Sequence, residues 1–399
     1  MKYDFDTVIN RRNTNSLKWD VAENELPMWV ADMDFPVAKP ILEAIQSKLQ
    51  VGALGYSIIP AGWNEAYVSW WQRRHNFTME PDWLIFTTGV LPAISSAVRK
   101  LTTPAEKVLI QTPVYNNFFN SIVNNGRVVV ESPLKYDGKD YSMDFEQLEQ
   151  DLSDPQVSLM VLCNPQNPSG HLWSSYELFK VGELCQKYNV TVIADEIHCD
   201  LTDPGKEYVP FASVSEVCRD ISVTCIAPTK TFNIAGVNSA AVMVPNKFLR
   251  HKMWRQLNTD EVAEPNIIAM EATVAAFNKG EEWLDQLRDY IYENKKLCQE
   301  YIEQNIPEIY LVPSEATYLL WLDCSRFCDN SVELAEYIRQ NSGLFLSEGA
   351  EYGQVGKQFL RINIACPRSV LKDGLSRLEK SIKDYLKSSK ASLQDVQRR

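Results

Sequence analysis

Short runs of apolar residues recur along the middle of the chain, at 84–86, 107–110, 127–130, 157–162, 190–194 and 221–226, with another at 240–244. They are nearly unbroken rather than alternating with polar residues, the pattern of strands covered on both faces. Between them lie stretches long enough for a helix. The order strand–helix–strand predicts a mostly parallel sheet between helical layers, an α/β three-layer sandwich. Residues 1–35 are mostly irregular, with many prolines and aromatics, and read as an arm packed on the body and covering a pocket. Helices are predicted after Pro40 and over 63–73, separated by the break Gly52-Ala53-Leu54-Gly55-Tyr56. The stretch from 245 to about 306 reads as long, charged helices. Beyond it, strands at 309–312, 318–322 and 359–364 with helices at 332–341 and 369–386 predict a smaller α+β domain, and the polar tail from Ser388 reads as mobile.

Composition narrows the class. At 399 residues the chain exceeds one ordinary core, so two domains are expected. Its 45% hydrophobic and 23% charged residues are globular values. A formal net charge of −12 without a Lys/Arg-rich run argues against nucleic acid and anionic membrane surfaces as partners. The polar, acidic amino terminus is no signal peptide, and no apolar stretch is long enough to span a bilayer. Nine dispersed cysteines without a Cys-x-x-Cys pair read as reduced thiols of a cytoplasmic protein. The cluster His198-Cys199-Asp200 lacks the spacing of a structural zinc site, and no metal is expected.

In parallel sheets ligands gather at the carboxyl ends of the strands, and the loops there carry the candidate chemistry. Gly89 and Val90 precede a helix, where free backbone N–H groups and the helix dipole suit a phosphate, although a glycine there also simply turns the chain. Tyr115 follows the strand at 107–110 and is expected to start the next helix; it either stacks on a flat ring or caps the core. Asn167 sits in Asn164-Pro165-Gln166-Asn167-Pro168-Ser169-Gly170, a rigid turn whose successor helix begins with the capping box Ser174…Glu177. Asp195 ends an apolar strand and must be paired, with a protonated pyridine nitrogen one such partner; Glu196 is the alternative inward group. Lys230 lies in Ala227-Pro228-Thr229-Lys230-Thr231-Phe232-Asn233 between two apolar runs. It is either a surface loop lysine or a Schiff-base lysine for an aldehyde cofactor. Arg361, inside the apolar strand at 359–364, wants a bidentate carboxylate, from a ligand or from an internal salt bridge.

Taken together, Pro27-Met28-Trp29-Val30-Ala31-Asp32-Met33-Asp34-Phe35, the double Asn-Pro turn, Asp195-Glu196-Ile197-His198-Cys199-Asp200 and Thr229-Lys230-Thr231-Phe232-Asn233-Ile234-Ala235-Gly236 resemble the fold type I pyridoxal-phosphate enzymes of the aminotransferase superfamily. The nearest look is to the cystathionine β-lyase/C–S lyase branch, the MalY/PatB group. The resemblance implies Lys230 as Schiff-base lysine and proton shuttle, and Asp195 on the pyridine nitrogen. It implies Asn167 on the ring hydroxyl oxygen, Tyr115 stacked on the ring, and Gly89 and Val90 on the phosphate. Arg361 is similar to the arginine that holds the substrate α-carboxylate, and Tyr56 to a tyrosine that reaches the phosphate of a neighbouring subunit. Where aminotransferases usually carry a serine, an arginine and a tyrosine, this chain has Ala227, Asn238 and His198. The phosphate grip is therefore less charged, with Thr229 and Tyr56 as candidate donors, and His198 points to the lyase branch as a cofactor neighbour.

The resemblance implies pyridoxal 5'-phosphate as cofactor, a small amino-acid substrate, a homodimer with shared sites, and β-elimination of cystathionine- or cysteine-type substrates to a thiol, pyruvate and ammonia. An aminotransferase, and a regulatory protein-binding role on the same fold, are the alternatives. The domain expectation is an N-terminal arm and helix at 1–50 packing with the small domain, a large cofactor-binding domain at 51–285 and a small domain at 286–399.

Overall fold

The computed structural model describes the backbone of residues 2–397 and the side chains of residues 2–388. A seven-stranded sheet is built from Leu84–Thr87 (β1), Lys107–Ile110 (β2), Val128–Glu131 (β3), Val157–Cys163 (β4), Thr191–Asp195 (β5), Ser222–Ile226 (β6) and Ala240–Met243 (β7). Its spatial order is β1-β7-β6-β5-β4-β2-β3. Only β7 runs against its neighbours; the pairs among β6, β5, β4, β2 and β3 are parallel. Each run expected from the sequence forms a strand, with ends displaced by a residue at most places because fraying ends are set by hydrogen bonds rather than by hydrophobicity.

Both faces of this sheet are covered. In β4, Leu159, Val161 and Cys163 join one hydrophobic cluster while Met160 and Leu162 join another. That division is the period-2 alternation of a strand with no wet face. The first cluster is closed by Val90–Leu101 (α1), Asn117–Val123 (α2) and Lys247–Thr259 (α3). In α1 the buried Val90, Ala93, Ile94, Ala97 and Val98 recur at three and four residues, a single helical stripe. The second cluster is closed by the helix Ser175–Lys187, which starts at the expected capping box: Ser174 and Glu177 satisfy each other's backbone N–H groups.

A four-stranded antiparallel sheet follows: Tyr310–Leu311 (β8), Leu319–Asp323 (β9), Ser347–Glu348 (β10) and Phe359–Asn363 (β11), in the order β8-β9-β11-β10. The helix Ser331–Ser342 that packs on it ends at Gly343, whose φ of 72° closes the helix. A side chain there would press on the Asn24 carbonyl. The chain then enters Leu344–Phe345, which pairs in parallel with Leu26–Pro27 of the N-terminal arm. The arm is thus stitched by main-chain bonds to the C-terminal part of the chain. The final helix, Arg368–Gln397, runs past the expected end at 386, and the side chains from 389 onward, where the tail was expected to be mobile, lie outside the described residues.

Candidate active site

The loops at the carboxyl ends of β1, β2, β4, β5 and β6 converge with the Arg361 face of β11 and with the arm. Neighbouring strands bring Asp195 and Lys230 together: Asp195 ends β5, in register with Cys225 of β6, and Lys230 lies in the short helix Pro228–Thr231 that follows β6. Each feels the charge of the other. Asp195 is buried and accepts the Ile197 amide at 3.2 Å. Burial pushes its carboxyl up to about 7, against the pull of that amide and of Lys230.

The Lys230 amine donates to the Ala31 carbonyl at 2.6 Å, with its stem only partly covered. Burial pulls it down to about 8; Asp32 and Asp195 oppose this and Arg361 adds to it. An amine near 8 is a far better nucleophile and base at neutral pH than an ordinary lysine, whose value is about 10.4.

Arg361 is buried, and its fork is held from two sides. Nη1 donates to Asn167 Oδ1 at 3.2 Å and Nη2 to the Trp29 carbonyl at 2.9 Å, while Nε has no partner. The guanidinium carbon lies 4.9 Å from the centre of the Tyr352 ring. Among the described residues no carboxylate pairs with it, so the internal salt bridge considered from sequence is not formed there. His198 is buried with Nδ1 unpartnered, and burial, with Lys230 and Arg361 nearby, drives its imidazole down to about 3. It is therefore neutral at physiological pH.

Tyr115 and Asn167 are in the expected loops. Tyr115 does not start a helix; α2 begins at Asn117, whose amide donates to the Tyr115 hydroxyl at 2.8 Å. Gly89 is the N-cap of α1 with no side-chain cap, so the first amides of that helix, Val90 included, are open to a ligand. Thr229 is buried beside Lys230. Tyr56 is not brought to this cluster by its own chain: it stands fully exposed, flanked by exposed Leu54 and Ile58.

Glu196 is not the alternative to Asp195; both are buried. Glu196 accepts from Asn164 at 3.1 Å, from the Phe211 amide at 2.8 Å and from the Tyr208 hydroxyl, a closed structural network. Asp200 is closed in the same way by Trp70, His75 and Thr231, which occupy the carboxylate that would be needed to join His75 and Cys199 around a metal. The residues that sequence reading missed are Tyr318, Asn363 and Asn233. Tyr318 donates to Ala31, Asn363 to Val30 and Asp32, and Asn233 to Met33 and Phe35, all to arm carbonyls. Asn363 had a legible signal, since it stands two residues from Arg361 on the same strand face.

The open groups are those that pyridoxal phosphate would satisfy. A buried acid facing a depressed lysine suits a basic ring nitrogen at one end and an aldehyde at the other. The uncapped helix start suits a phosphate, and the unpartnered His198 Nδ1 lies near Lys230 and Arg361 in the same cluster.

Comparison with known proteins agrees. The aminotransferase class I and II family matches residues 22–378, and the chain belongs to that family. It is 40% identical to the cystathionine β-lyase PatB of Bacillus subtilis, covering 95% of this chain and 99% of that protein. Cystalysin of Treponema denticola, solved with pyridoxal 5'-phosphate, superposes with a TM-score of 0.93 at 34% identity, covering 96% of this chain and all of that one. The pyridoxal-phosphate-bound C–S lyase of Staphylococcus hominis superposes with a TM-score of 0.89 at 32% identity, covering 95% and 98%. Within the family the chain falls in the cystathionine β-lyase branch.

The depressed amine gives a direct expectation. A lowered pKa means the neutral, reactive form of Lys230 accumulates as pH rises through about 8. The rate at which pyridoxal phosphate attaches covalently to cofactor-free protein, read by absorbance, should rise with that midpoint. A midpoint at the ordinary lysine value of about 10.4 would contradict the burial argument.

Proposed function

We infer that the chain is a pyridoxal-phosphate-dependent carbon–sulfur β-lyase that converts an amino acid bearing sulfur on Cβ to a thiol, pyruvate and ammonia. The observation that carries this reading is the pair Asp195 and Lys230, the first buried and the second partly covered, each with a shifted pKa and held at the ends of adjacent strands, in a chain so similar to PatB along its whole length. The cofactor, when bound, supplies an electron sink for the bond to the Cα proton.

The protein's own groups do the rest. Arg361 takes the substrate α-carboxylate on the fork edge its two fixed hydrogen bonds leave free, which sets the Cα–H bond toward Lys230. Lys230, neutral in a useful fraction near pH 8, removes the Cα proton at Nζ. The Cβ–S bond then breaks with its electron pair leaving on sulfur, which takes the proton held at Lys230 Nζ and departs as a thiol; the released 2-aminoacrylate takes up water in solution to give pyruvate and ammonia. Asp195 would hold the ring-nitrogen proton, its charge offset by nearby Lys230. Asn167 would donate through its amide to the ring oxygen while its Oδ1 stays on Arg361, so one side chain would couple cofactor and substrate positions. Tyr115 would cover a ring face, with His198 nearby as a neutral imidazole, and Thr229 with the α1 amides at Gly89 and Val90 would hold the phosphate.

The active assembly is a homodimer. The loop carrying Val51, Leu54, Tyr56, Ile58 and Ile59 exposes an apolar patch that a second copy would cover, and Tyr56 would add a phosphate donor from outside the lysine loop, where neither Ala227 nor Asn238 supplies charge. Residues 51–285 are the cofactor-binding domain and 286–399 the small domain; the arm pairs with the latter through Leu26–Pro27 and Leu344–Phe345, whereas the helix Lys39–Leu49, also expected to pack there, lies on Ala269–Lys279 of the former, with Lys48 bridging to Glu271. All nine cysteines are free and buried, which fits a reducing cytoplasm.

Incubation with cystathionine or cysteine should release pyruvate in equal amount to substrate consumed, with no 2-oxo acid added. A strict requirement for a 2-oxo acid acceptor would make the protein an aminotransferase instead. The shared site is tested by mixing two inactive variants, Tyr56→Ala and Lys230→Ala. Heterodimers hold one site with both groups intact and should recover up to about half of the wild-type activity per site pair. Mixed dimers that form and remain inactive would refute the cross-subunit role of Tyr56.

A further inference from the structure

The arm segment 29–35 makes contacts that the lyase reading alone does not require. Its successive carbonyls accept from the site: Trp29 from Arg361, Val30 from Asn363, Ala31 from Lys230 and Tyr318, Asp32 from Asn363, and Met33 from Asn233. A peptide strap thus spans the lysine loop on one side and the Arg361 strand on the other. A free strap of seven residues would cost too much conformational entropy to stay so placed, so something must hold it.

Two acids and two bases hold it from behind. Lys18, 1% exposed, donates to Asp34 Oδ2 at 2.7 Å. Arg11 binds Asp32 at 2.6 Å through Nη2 and Asp34 at 2.8 Å through Nη1, and also takes the Met33 carbonyl at 3.1 Å. Trp19 Nε1 closes Asp34 Oδ1 at 2.7 Å. Buried pairs of this kind add little stability over an apolar core, but they fix one geometry, and removing one partner leaves a buried charge exposed to its neighbours. Among the described residues, Lys18, Arg11 and Asp34 bond to the site only through the strap, while Asp32 is near enough for its charge to be felt by Lys230.

We propose that Lys18 and Arg11, acting on Asp34 and Asp32, are positioning residues. They clamp the strap so that the Trp29 carbonyl sets the Arg361 fork for the substrate carboxylate, and the Ala31 carbonyl receives the Lys230 amine whenever it is free. The inference rests on the assignment of Arg361 and Lys230 above. Loosening the clamp should impair substrate capture more than the chemical step, because Arg361 loses its fixed edge while the reacting groups remain.

The test uses the cofactor-loaded enzyme with Lys18→Met, Arg11→Gln and Arg11→Lys; the Arg11 changes are at a partly exposed group and serve if Lys18→Met does not fold. Three quantities are read: KM and kcat for L-cysteine, the dissociation constant of L-alanine from the change in cofactor absorbance, and hydrogen exchange of the backbone amides. Met33 and Asp34 amides, bonded to Asn233 and Ala365, should lose protection while those of β4 and β5 keep theirs. KM and the L-alanine constant should rise about tenfold, with kcat changed less than about threefold and cofactor content unaltered. Arg11→Lys should recover part of the affinity. Lost protection with unchanged L-alanine affinity would overturn the positioning role, and unchanged protection would overturn the clamp itself. If the wild type turns over neither L-cysteine nor cystathionine, the lyase reading fails, while L-alanine binding and exchange still judge the clamp.

Discussion

An ionised group taken out of water costs several kcal/mol unless groups around it restore what water gave. At one end of its central sheet this chain buries Asp195, Glu196 and Asp200 and depresses Lys230, and the small sheet brings buried Arg361 to them. The way each is satisfied separates structure from chemistry. Glu196 and Asp200 are closed by three partners each from the protein. Asp195 keeps one backbone amide, Arg361 leaves Nε without a partner, and Lys230 rests on a single carbonyl. That incomplete set marks the proposed site, which pyridoxal phosphate with an amino-acid substrate would complete.

The sheet makes this possible at modest cost. Continuous apolar strands, covered on both faces, place five loops at one edge without exposing any backbone between them. The small sheet contributes Arg361 from the opposite side, and the arm closes the gap by pairing Leu26–Pro27 with Leu344–Phe345. Asn167 then links the two halves, since its Oδ1 is the acceptor for Arg361. On the proposed assignment, substrate carboxylate and cofactor ring would be read by side chains that touch each other, so that a shift in one would be felt by the other.

Much of this was legible in the residues. Unbroken apolar runs sufficed for the seven strands, because burial on both faces leaves no other pattern. Lys230 and Asp195 were legible because a charge at the end of a buried strand has few explanations. Glu196 stood only as an alternative to Asp195, countered by the strand alternation that lets Asp195 and Ile197 share a face; its own role was not legible, because its partners Tyr208 and the Phe211 amide lie downstream in an irregular stretch with no periodicity to announce them. Tyr318, Asn363 and Asn233 escaped because they serve main-chain carbonyls of a segment some two hundred or more residues away, and nothing local encodes such a pairing. Tyr115 was assigned to a helix start because the turn Gln111-Thr112-Pro113-Val114 gave no sign that two further residues precede the helix.

The central claim is that Asp195 and Lys230 are the two ends of one cofactor slot. It is tested most directly by the exchange of the Cα proton of L-alanine for deuterium in heavy water, followed by NMR, since L-alanine has no leaving group and reports proton removal alone. The wild type should exchange readily, Asp195→Glu at a reduced rate, and Asp195→Ala slower by at least about a hundredfold with its cofactor still bound. An Asp195→Ala protein that retains cofactor and exchanges at the wild-type rate would show that Asp195 is a structural acid like Glu196, and the account would fail.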